Sequence, residues 1–209
     1  TKDGFESTFG VNHLGHFLLT NLLLKSLKSP ARIVFVSSGT HYAEKKTGMP
    51  PPNYTNAEKL AYPENTESNK SSFMGRQRYS TSKLCNIFCT YELAKKLEGK
   101  EIMVNAFDPG LMPGTGLARD YGIIQKFAWN YILPVLTLFV PNVNTVEHSG
   151  KALARLILDD KLQSVTGKYF EGFKEIPSSK ESYDNSKAKE LWETSEKLVK
   201  LTTEEKLTD

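Results

Sequence analysis

Cysteine is scarce in this sequence. Among its 209 residues the thiols are Cys85 and Cys89, which stand four positions apart in the segment CNIFC. A single helical turn does not provide the separation and angles that a disulfide needs. The pattern therefore excludes a secreted framework of disulfides. It predicts two structural thiols in a reducing compartment, with a cytoplasmic protein as the default.

A strong excess of charge of one sign is also missing. The formal net charge is +3, and charged residues make up 24% of the chain. Lys45 and Lys46 are the nearest approach to a basic block, and a solvated loop explains them. Domains that bind nucleic acids carry a basic stripe or patch along one face. The composition therefore argues against a nucleic-acid partner.

Long hydrophobic runs are absent as well. The longest apolar stretch, FAWNYILPVLTLFV at residues 127–140, contains Pro134 in its middle. It is shorter than the roughly 20 residues that cross a bilayer as a helix. We predict that this stretch is buried or covers a bound substrate, and peripheral contact with a membrane surface is the alternative.

Histidines do not form a metal-binding pattern. His13 and His16 stand three positions apart, and no third ligand follows at a spacing typical of metal sites. We therefore expect helix packing for this pair and predict no metal site. His41 and His148 are expected in a loop and at a helix start.

Segments with helical and strand periodicity alternate along the chain. The predicted helices are 5–28, 80–97, 145–160 and 186–201, and the predicted strands are 32–38, 101–110 and 165–173. Residues 115–140 are predicted as helical segments broken by Pro134 and Pro141, and residues 39–77 as a long loop that is either functional or an insertion. The alternation predicts an α/β fold with a parallel sheet, in one domain over residues 1–209.

The segment YSTSK places Tyr79 and Lys83 four positions apart, on one face of a predicted helix. A free phenol has a pKa of about 10, and a fixed ammonium nearby favours its ionised form. Such a phenol can donate a proton to a carbonyl oxygen, or withdraw it in the reverse direction. Ser37 and Ser38 end a predicted strand, where an α/β sheet places its ligands. Taken alone, however, the tyrosine–lysine spacing most often marks an ordinary polar helix face.

Four motifs change this interpretation by their order along the chain. NHLGHF begins at Asn12, RIVFVSS ends at Ser38, YSTSK begins at Tyr79 and NAFDPG ends at Gly110. Together they resemble the short-chain dehydrogenase/reductase family over nearly the whole chain. The resemblance is strongest to the branch of retinol dehydrogenases, WW-domain oxidoreductases and light-dependent protochlorophyllide reductases. It implies the C-terminal part of a Rossmann-type doubly wound parallel sheet with flanking helices.

The resemblance also implies roles for individual residues. Tyr79 is implied as the general acid/base, and Lys83 as the residue that binds the nicotinamide ribose and lowers the pKa of the phenol. Ser38 is implied as the hydroxyl that orients the substrate carbonyl, and Asn12 as support for a water-linked proton relay to Lys83. The implied cofactor-binding residues are Asn12, Tyr79, Lys83, Pro109, Gly110 and Thr115.

The implied reaction is hydride transfer between a nicotinamide cofactor and a hydrophobic alcohol or carbonyl compound. NADP(H) is implied by this branch rather than NAD(H). The substrate is expected to be a small hydrophobic molecule covered by the apolar 116–140 region. Family members often pair through the helices that correspond to residues 5–28 and 80–97, so the resemblance is compatible with a homo-oligomer.

The sequence lacks the Gly-rich strand-to-helix turn with which this family binds dinucleotides. The glycines of GLMPGTG, residues 110–116, follow the last catalytic strand and do not form that turn. We therefore expect a fragment whose dinucleotide-binding motif lies outside residues 1–209. Two alternatives stay open. One is a light-dependent protochlorophyllide reductase, disfavoured because Leu111 stands where such enzymes typically carry a cysteine. The other is a truncated, non-catalytic interaction module.

Overall fold

The computed structural model of the protein describes residues 1–113 and 142–207. The helices in this part of the chain are α1 (Ser7–Phe9), α2 (Gly15–Leu24), α3 (Ala57–Ala61), α4 (Ser72–Lys96), α5 (Val146–Leu158) and α6 (Asn185–Leu198). The strands are β1 (Ala31–Val36), β2 (Ile102–Asp108), β3 (Lys168–Glu171) and β4 (Lys174–Glu175). Helices and strands alternate as the sequence predicts, which confirms the α/β class.

The four strands form one sheet in the order β1-β2-β3-β4. Strands β1, β2 and β3 are parallel, with Val36 beside Phe107 and Asp108 beside Glu171 at their carboxyl ends. The antiparallel pair of β3 and β4 was not predicted. Strand β4 has two residues, too few for an alternating pattern to show in the sequence. The parallel strands bring their carboxyl ends to one edge, where ligands bind in open α/β sheets.

Helix α4 begins eight residues before the predicted start at residue 80, because Ser71 caps it. The Ser71 hydroxyl accepts a hydrogen bond of 3.3 Å from the Met74 amide, which satisfies one of the first amides of the helix. Ser80, Thr81 and Ser82 are all buried in the middle of α4. Thr81 donates to the Gln77 carbonyl at 2.8 Å, so a buried hydroxyl in this run needs no partner outside the helix.

The first predicted helix, residues 5–28, is interrupted. A π-helical turn at Gly10–Leu14 separates α1 from α2, which ends at Leu24. Such wide turns occur frequently at functional sites. This one carries Asn12, whose side chain reaches α4, and His13, whose ring is buried against α6 and lies 2.9 Å from the Ser195 hydroxyl. The packing expected for His13 is confirmed.

The core lies between the sheet and the helices α2, α4 and α6. Leu84, Phe88 and Leu93 of α4 are fully buried there. Cys85 and Cys89 are buried free thiols, and burial raises the pKa of both, as expected of structural cysteines. No helix among residues 1–113 and 142–207 is long and apolar enough to cross a membrane. The apolar stretch 127–140 lies outside the described residues.

Candidate active site

The candidate site lies at the carboxyl ends of β1 and β2, beneath the middle of α4. Ser37, which follows β1, connects this strand to α4, because its hydroxyl donates a 2.8 Å hydrogen bond to the Lys83 carbonyl. Asn86, one turn further along α4, donates to the Val36 carbonyl at 3.0 Å. Two side-chain bonds therefore hold the helix against the end of the strand, and they fix which part of α4 faces the sheet edge.

Tyr79 and Lys83 lie on the same face of α4, as their spacing predicts. The Lys83 ammonium lies 5.4 Å from the centre of the Tyr79 ring and donates a 3.3 Å hydrogen bond to the Val36 carbonyl. Burial lowers the pKa of Lys83, and the charge of Asp108 opposes this shift. The carboxylate of Asp108 therefore favours a charged ammonium at this position.

Ser38 is among the groups that affect the pKa of the Tyr79 phenol. Burial raises the pKa of Tyr79, the hydrogen bond with Ser38 lowers it, and the charge of Asp108 raises it, with a net upward shift. The direction differs from the lowering that the resemblance implies, because desolvation disfavours a phenolate more than its neighbours stabilise one. At neutral pH the phenol is therefore protonated and able to donate its proton.

Asn12 also lies next to this part of α4. Its side-chain amide donates a 3.1 Å hydrogen bond to the Ser82 hydroxyl, which in turn donates to the Tyr79 carbonyl at 2.7 Å. The amide thus contacts the helix backbone behind Tyr79, and a relay from Asn12 to Lys83 stays a prediction. Asn12 is still connected to the tyrosine by two hydrogen bonds, since the π-helical turn carries it there.

Pro109 and Gly110 follow β2 in a tightly held turn. Gly110 has a φ of +77°, and a Cβ there would lie 2.4 Å from the Asn144 amide nitrogen. A side chain would be strained by this φ and would also clash. Asn144 and Ser149 donate to the Pro109 carbonyl at 2.9 Å and 2.6 Å. The turn is therefore fixed by Asn144, which precedes α5, and by Ser149 in the first turn of α5.

Asp108 is a centre of this arrangement, although the sequence motifs assign it no role. Its carboxylate is 1% exposed and accepts three hydrogen bonds. They come from the Gly110 amide at 2.8 Å, the Asn142 side chain at 2.9 Å and the Tyr169 hydroxyl at 3.2 Å. The bond to Gly110 follows a known local pattern of Asp before a turn. The other two come from distant segments and leave no signal in the sequence.

His41 is the second residue whose place the sequence did not indicate. It was expected in a loop, and it does lie in the short helical turn Gly39–His41, but its side chain is 0% exposed. Its Nδ1 lies 2.7 Å from the Ser38 carbonyl, and its Nε2 accepts a 3.0 Å hydrogen bond from the Ser179 amide. The ring therefore connects the serine turn to the segment before α6.

Thr115 lies outside the described residues, and so does the apolar 116–140 region that was predicted to cover the substrate. Among the predicted site residues that the structure describes, Ser38, Tyr79 and Lys83 come together at the sheet edge. Asn12 lies behind α4, and the Pro109–Gly110 turn follows the neighbouring strand.

Stability is expected to fall when the pH is lowered from 7 to 5.5. Burial lowers the pKa of His13 to about 3 and that of His41 to about 4, from an ordinary value of 6.5. Above pH 6.5 both rings are neutral in the folded and unfolded chain, and stability is complete. Between about pH 6.5 and 4 the two histidines bind protons in the unfolded chain but stay neutral in the folded protein. Lowering the pH from 7 to 5.5 therefore reduces the free energy of unfolding by about 2 kcal/mol for the two rings together.

Urea denaturation at pH 7 and pH 5.5 measures this difference. An unfolding free energy that stays constant or increases at pH 5.5 would contradict neutral burial of the two rings.

Comparison with known proteins shows what the chain is similar to. A family model described as the AcuH dehydrogenase domain matches residues 115–207. The chain is 36% identical to retinol dehydrogenase 13 of Homo sapiens over 204 residues, which are 96% of this chain and 56% of that protein. It is 33% identical to the WW domain-containing oxidoreductase of Gallus gallus over 203 residues, 96% of this chain and 45% of that protein.

A solved structure agrees with these sequence relatives. A crystal structure of an uncharacterised protein from Mycobacterium paratuberculosis matches with a TM-score of 0.57 and 29% identity, over 96% of this chain and 61% of that one. The chain thus spans about half the length of the curated relatives it matches. Over 95–96% of its own length the chain is similar in sequence to retinol dehydrogenases, which are short-chain dehydrogenases/reductases, and it has the α/β fold that this similarity implies.

Proposed function

We propose that this chain is the catalytic part of an oxidoreductase that moves a hydride between NADP(H) and a small hydrophobic alcohol or carbonyl compound. The observation that supports the proposal best is the placement of Tyr79 and Lys83 on one face of α4, with the Lys83 ammonium 5.4 Å from the Tyr79 ring centre and bonded to the Val36 carbonyl near the end of β1. The retinol dehydrogenase relatives support the hydrophobic class of substrate.

Tyr79 is proposed as the general acid/base. Its pKa is raised by burial, so the phenol carries a proton that it can give to a carbonyl oxygen. Ser38 donates a second hydrogen bond to the same oxygen and orients the carbonyl. A positioned proton donor of this kind typically contributes about 10²–10⁴-fold to a rate. In the oxidative direction Tyr79 takes the proton back from the alcohol.

The donors at the site fit a nicotinamide cofactor. Among the described residues Lys83 donates one hydrogen bond, to the Val36 carbonyl, and an ammonium has three protons to donate. Lys83 can therefore also hold the hydroxyls of a ribose, together with Tyr79. Asn12, Pro109, Gly110 and Thr115 are the further residues proposed to hold the cofactor. The nicotinamide supplies the hydride when bound.

The nucleotide phosphates require a part of the fold that residues 1–209 do not show. We propose that the dinucleotide-binding turn belongs to a longer protein, in which this chain is the C-terminal part of a single domain. The proposal is supported by the coverage of the relatives, of which this chain spans about half. The apolar 116–140 region is proposed to cover the substrate, with membrane contact and pairing of copies as further proposals.

A fluorescence titration with NADPH and NADH tests the cofactor proposal, on residues 1–209 and on a form extended to the natural start. Tight binding is expected for the extended form, with NADPH favoured, and very poor binding for residues 1–209. Hydride transfer is then followed at the nicotinamide absorbance with retinal as a probe substrate. Tight stoichiometric binding by residues 1–209 would overturn the division of the domain.

The remaining alternatives give different results in the same experiment. Absence of nucleotide binding in both forms would favour a non-catalytic interaction module. Turnover that requires illumination would favour a light-dependent pigment reductase, whereas the proposed oxidoreductase works in the dark.

A further inference from the structure

We infer that His41 is a positioning residue for the catalytic serine: its imidazole fixes the Ser38 carbonyl and thereby aims the Ser38 hydroxyl at Tyr79. The inference rests on the function proposed above, because it assigns a role within that site. His41 itself does not touch the reacting atoms. It acts through the backbone of Ser38, and through a bond to a segment far along the chain.

The hydrogen bonds of His41 define its protonation. The Ser179 backbone amide can only donate, so Nε2 must accept the 3.0 Å bond between them. Nδ1 therefore carries the proton of a neutral ring and donates it to the Ser38 carbonyl at 2.7 Å. Neither nitrogen can exchange its role without breaking a buried bond. The ring is thus a neutral bridge with one donor end and one acceptor end.

The surroundings of His41 hold this bridge in one orientation. Its ring centre lies 3.9 Å from that of Tyr42 and 4.8 Å from that of Tyr169, and the side chain is 0% exposed. The Tyr42 hydroxyl donates a hydrogen bond to the Pro177 carbonyl, which ties the same two segments together. A ring packed on two sides and bonded at two ends has no other rotamer available in this site.

The link from carbonyl to hydroxyl is short. Ser38 has an extended backbone with φ −166° and ψ 151°, and its hydroxyl accepts a long 3.4 Å bond from the Thr40 amide. Its carbonyl also accepts a 3.2 Å bond from the His41 amide. The long bond from Thr40 holds the Ser38 hydroxyl only weakly. The position of the hydroxyl therefore depends on the Ser38 backbone, which the His41 imidazole fixes. A tilt of the peptide would move it relative to Tyr79, and a shift of about 1 Å can cost up to 10²-fold in rate.

Two substitutions separate the two ends of the bridge. In His41→Asn the side-chain amide takes the place of Nδ1 and can still donate to Ser38. In His41→Gln the amide reaches the place of Nε2, so the bond to Ser179 is kept while the bond to Ser38 is lost. We expect His41→Gln to lower kcat by about 10- to 100-fold with little change in the KM for NADPH. His41→Asn should restore most of this loss.

Tyr42→Phe is the matched control. It removes a hydrogen bond between the same two segments, but one that does not reach Ser38. We expect it to lower the melting temperature while kcat stays within about twofold. An equal loss of kcat in Tyr42→Phe and His41→Gln would show that the bridge has a merely structural role, and would overturn the inference.

Combining His41→Gln with Ser38→Ala tests whether His41 acts through the serine. Once the Ser38 hydroxyl is removed, loss of the histidine should change kcat by less than about twofold, because coupled residues are not additive. Losses that multiply would overturn the inference. If Ser38→Ala alone leaves kcat unchanged, the proposed function itself is wrong. These measurements use the nucleotide-binding form of the protein identified in the titration.

A spectroscopic measurement keeps the inference testable where a variant fails to fold. The ¹⁵N spectrum of the histidine-labelled wild-type protein should show His41 as a neutral ring protonated at Nδ1 between pH 6 and 8. A ring protonated at Nε2, or at both nitrogens, would overturn the inference, since neither form can accept a bond from Ser179 and donate to Ser38.

Discussion

Replacing Tyr79 by Phe is expected to lower kcat by about 10²–10⁴-fold, the usual contribution of a positioned proton donor. The change removes one oxygen and keeps the ring on the helix face that carries Lys83. Lys83 can still hold the ribose, so NADPH binding should weaken by no more than the loss of one hydrogen bond, about 10-fold. Steady-state kinetics together with a nucleotide titration measure the two effects separately.

Tyr91→Phe is the control for this experiment. Tyr91 lies on the same helix and its hydroxyl is also hydrogen-bonded, to the Ser178 hydroxyl at 2.6 Å. The chemical change is identical, but it lies away from the Ser38 hydroxyl. We expect kcat to stay within about twofold of the original value. If Tyr79→Phe is as active as Tyr91→Phe, Tyr79 is not the acid/base.

Replacing Asp108 by Ala is expected to cost about 3 kcal/mol of unfolding free energy. The substitution leaves the Gly110 amide, the Asn142 side chain and the Tyr169 hydroxyl without their acceptor. Each unpaired buried polar group costs about 1–3 kcal/mol, and relaxation of the turn recovers part of the sum. Asp108→Asn should cost less, because its amide oxygen still accepts, although its NH₂ group then faces donors.

Urea denaturation of both variants measures these costs. Asp160→Asn, in an exposed position, is the control and should change the unfolding free energy by less than about 0.5 kcal/mol. An Asp108→Ala variant within about 1 kcal/mol of the original protein would contradict the role of the carboxylate as the centre of the turn.

The secondary structure was largely predictable because it depends on local pattern. Thr145 caps α5 through a 3.1 Å bond from the His148 amide, as its position before an amphipathic run predicts. Strands β1 and β2 contain Ile and Val in short apolar runs that the sequence marks clearly. The π-helical turn at Gly10–Leu14 was not predictable, since its composition does not differ from that of an ordinary helical turn. Strand β4 was missed because two residues have no period.

The residues of the candidate site that lie in family motifs could be predicted from the sequence. The residues that depend on contacts between distant segments could not. Tyr79, Lys83 and Ser38 were identified from their motifs, and the fold brings them together. The direction of the Tyr79 pKa shift was not predicted, because it depends on the burial of the phenol, and the spacing of residues in the sequence does not reveal burial. Asp108 and His41 were missed because their decisive partners, Tyr169 and Ser179, are 61 and 138 positions away. Hydrophobic periodicity contains no information about such contacts.

The bond between His41 and Ser179 has a consequence for how the protein is made on the ribosome. Residues near position 41 leave the exit tunnel long before the segment that contains Ser179, which follows 138 positions later. During synthesis the imidazole of His41 therefore lacks its Ser179 partner until the segment before α6 has been made. A chain that stops after β3 would carry the serine turn without this buried bond.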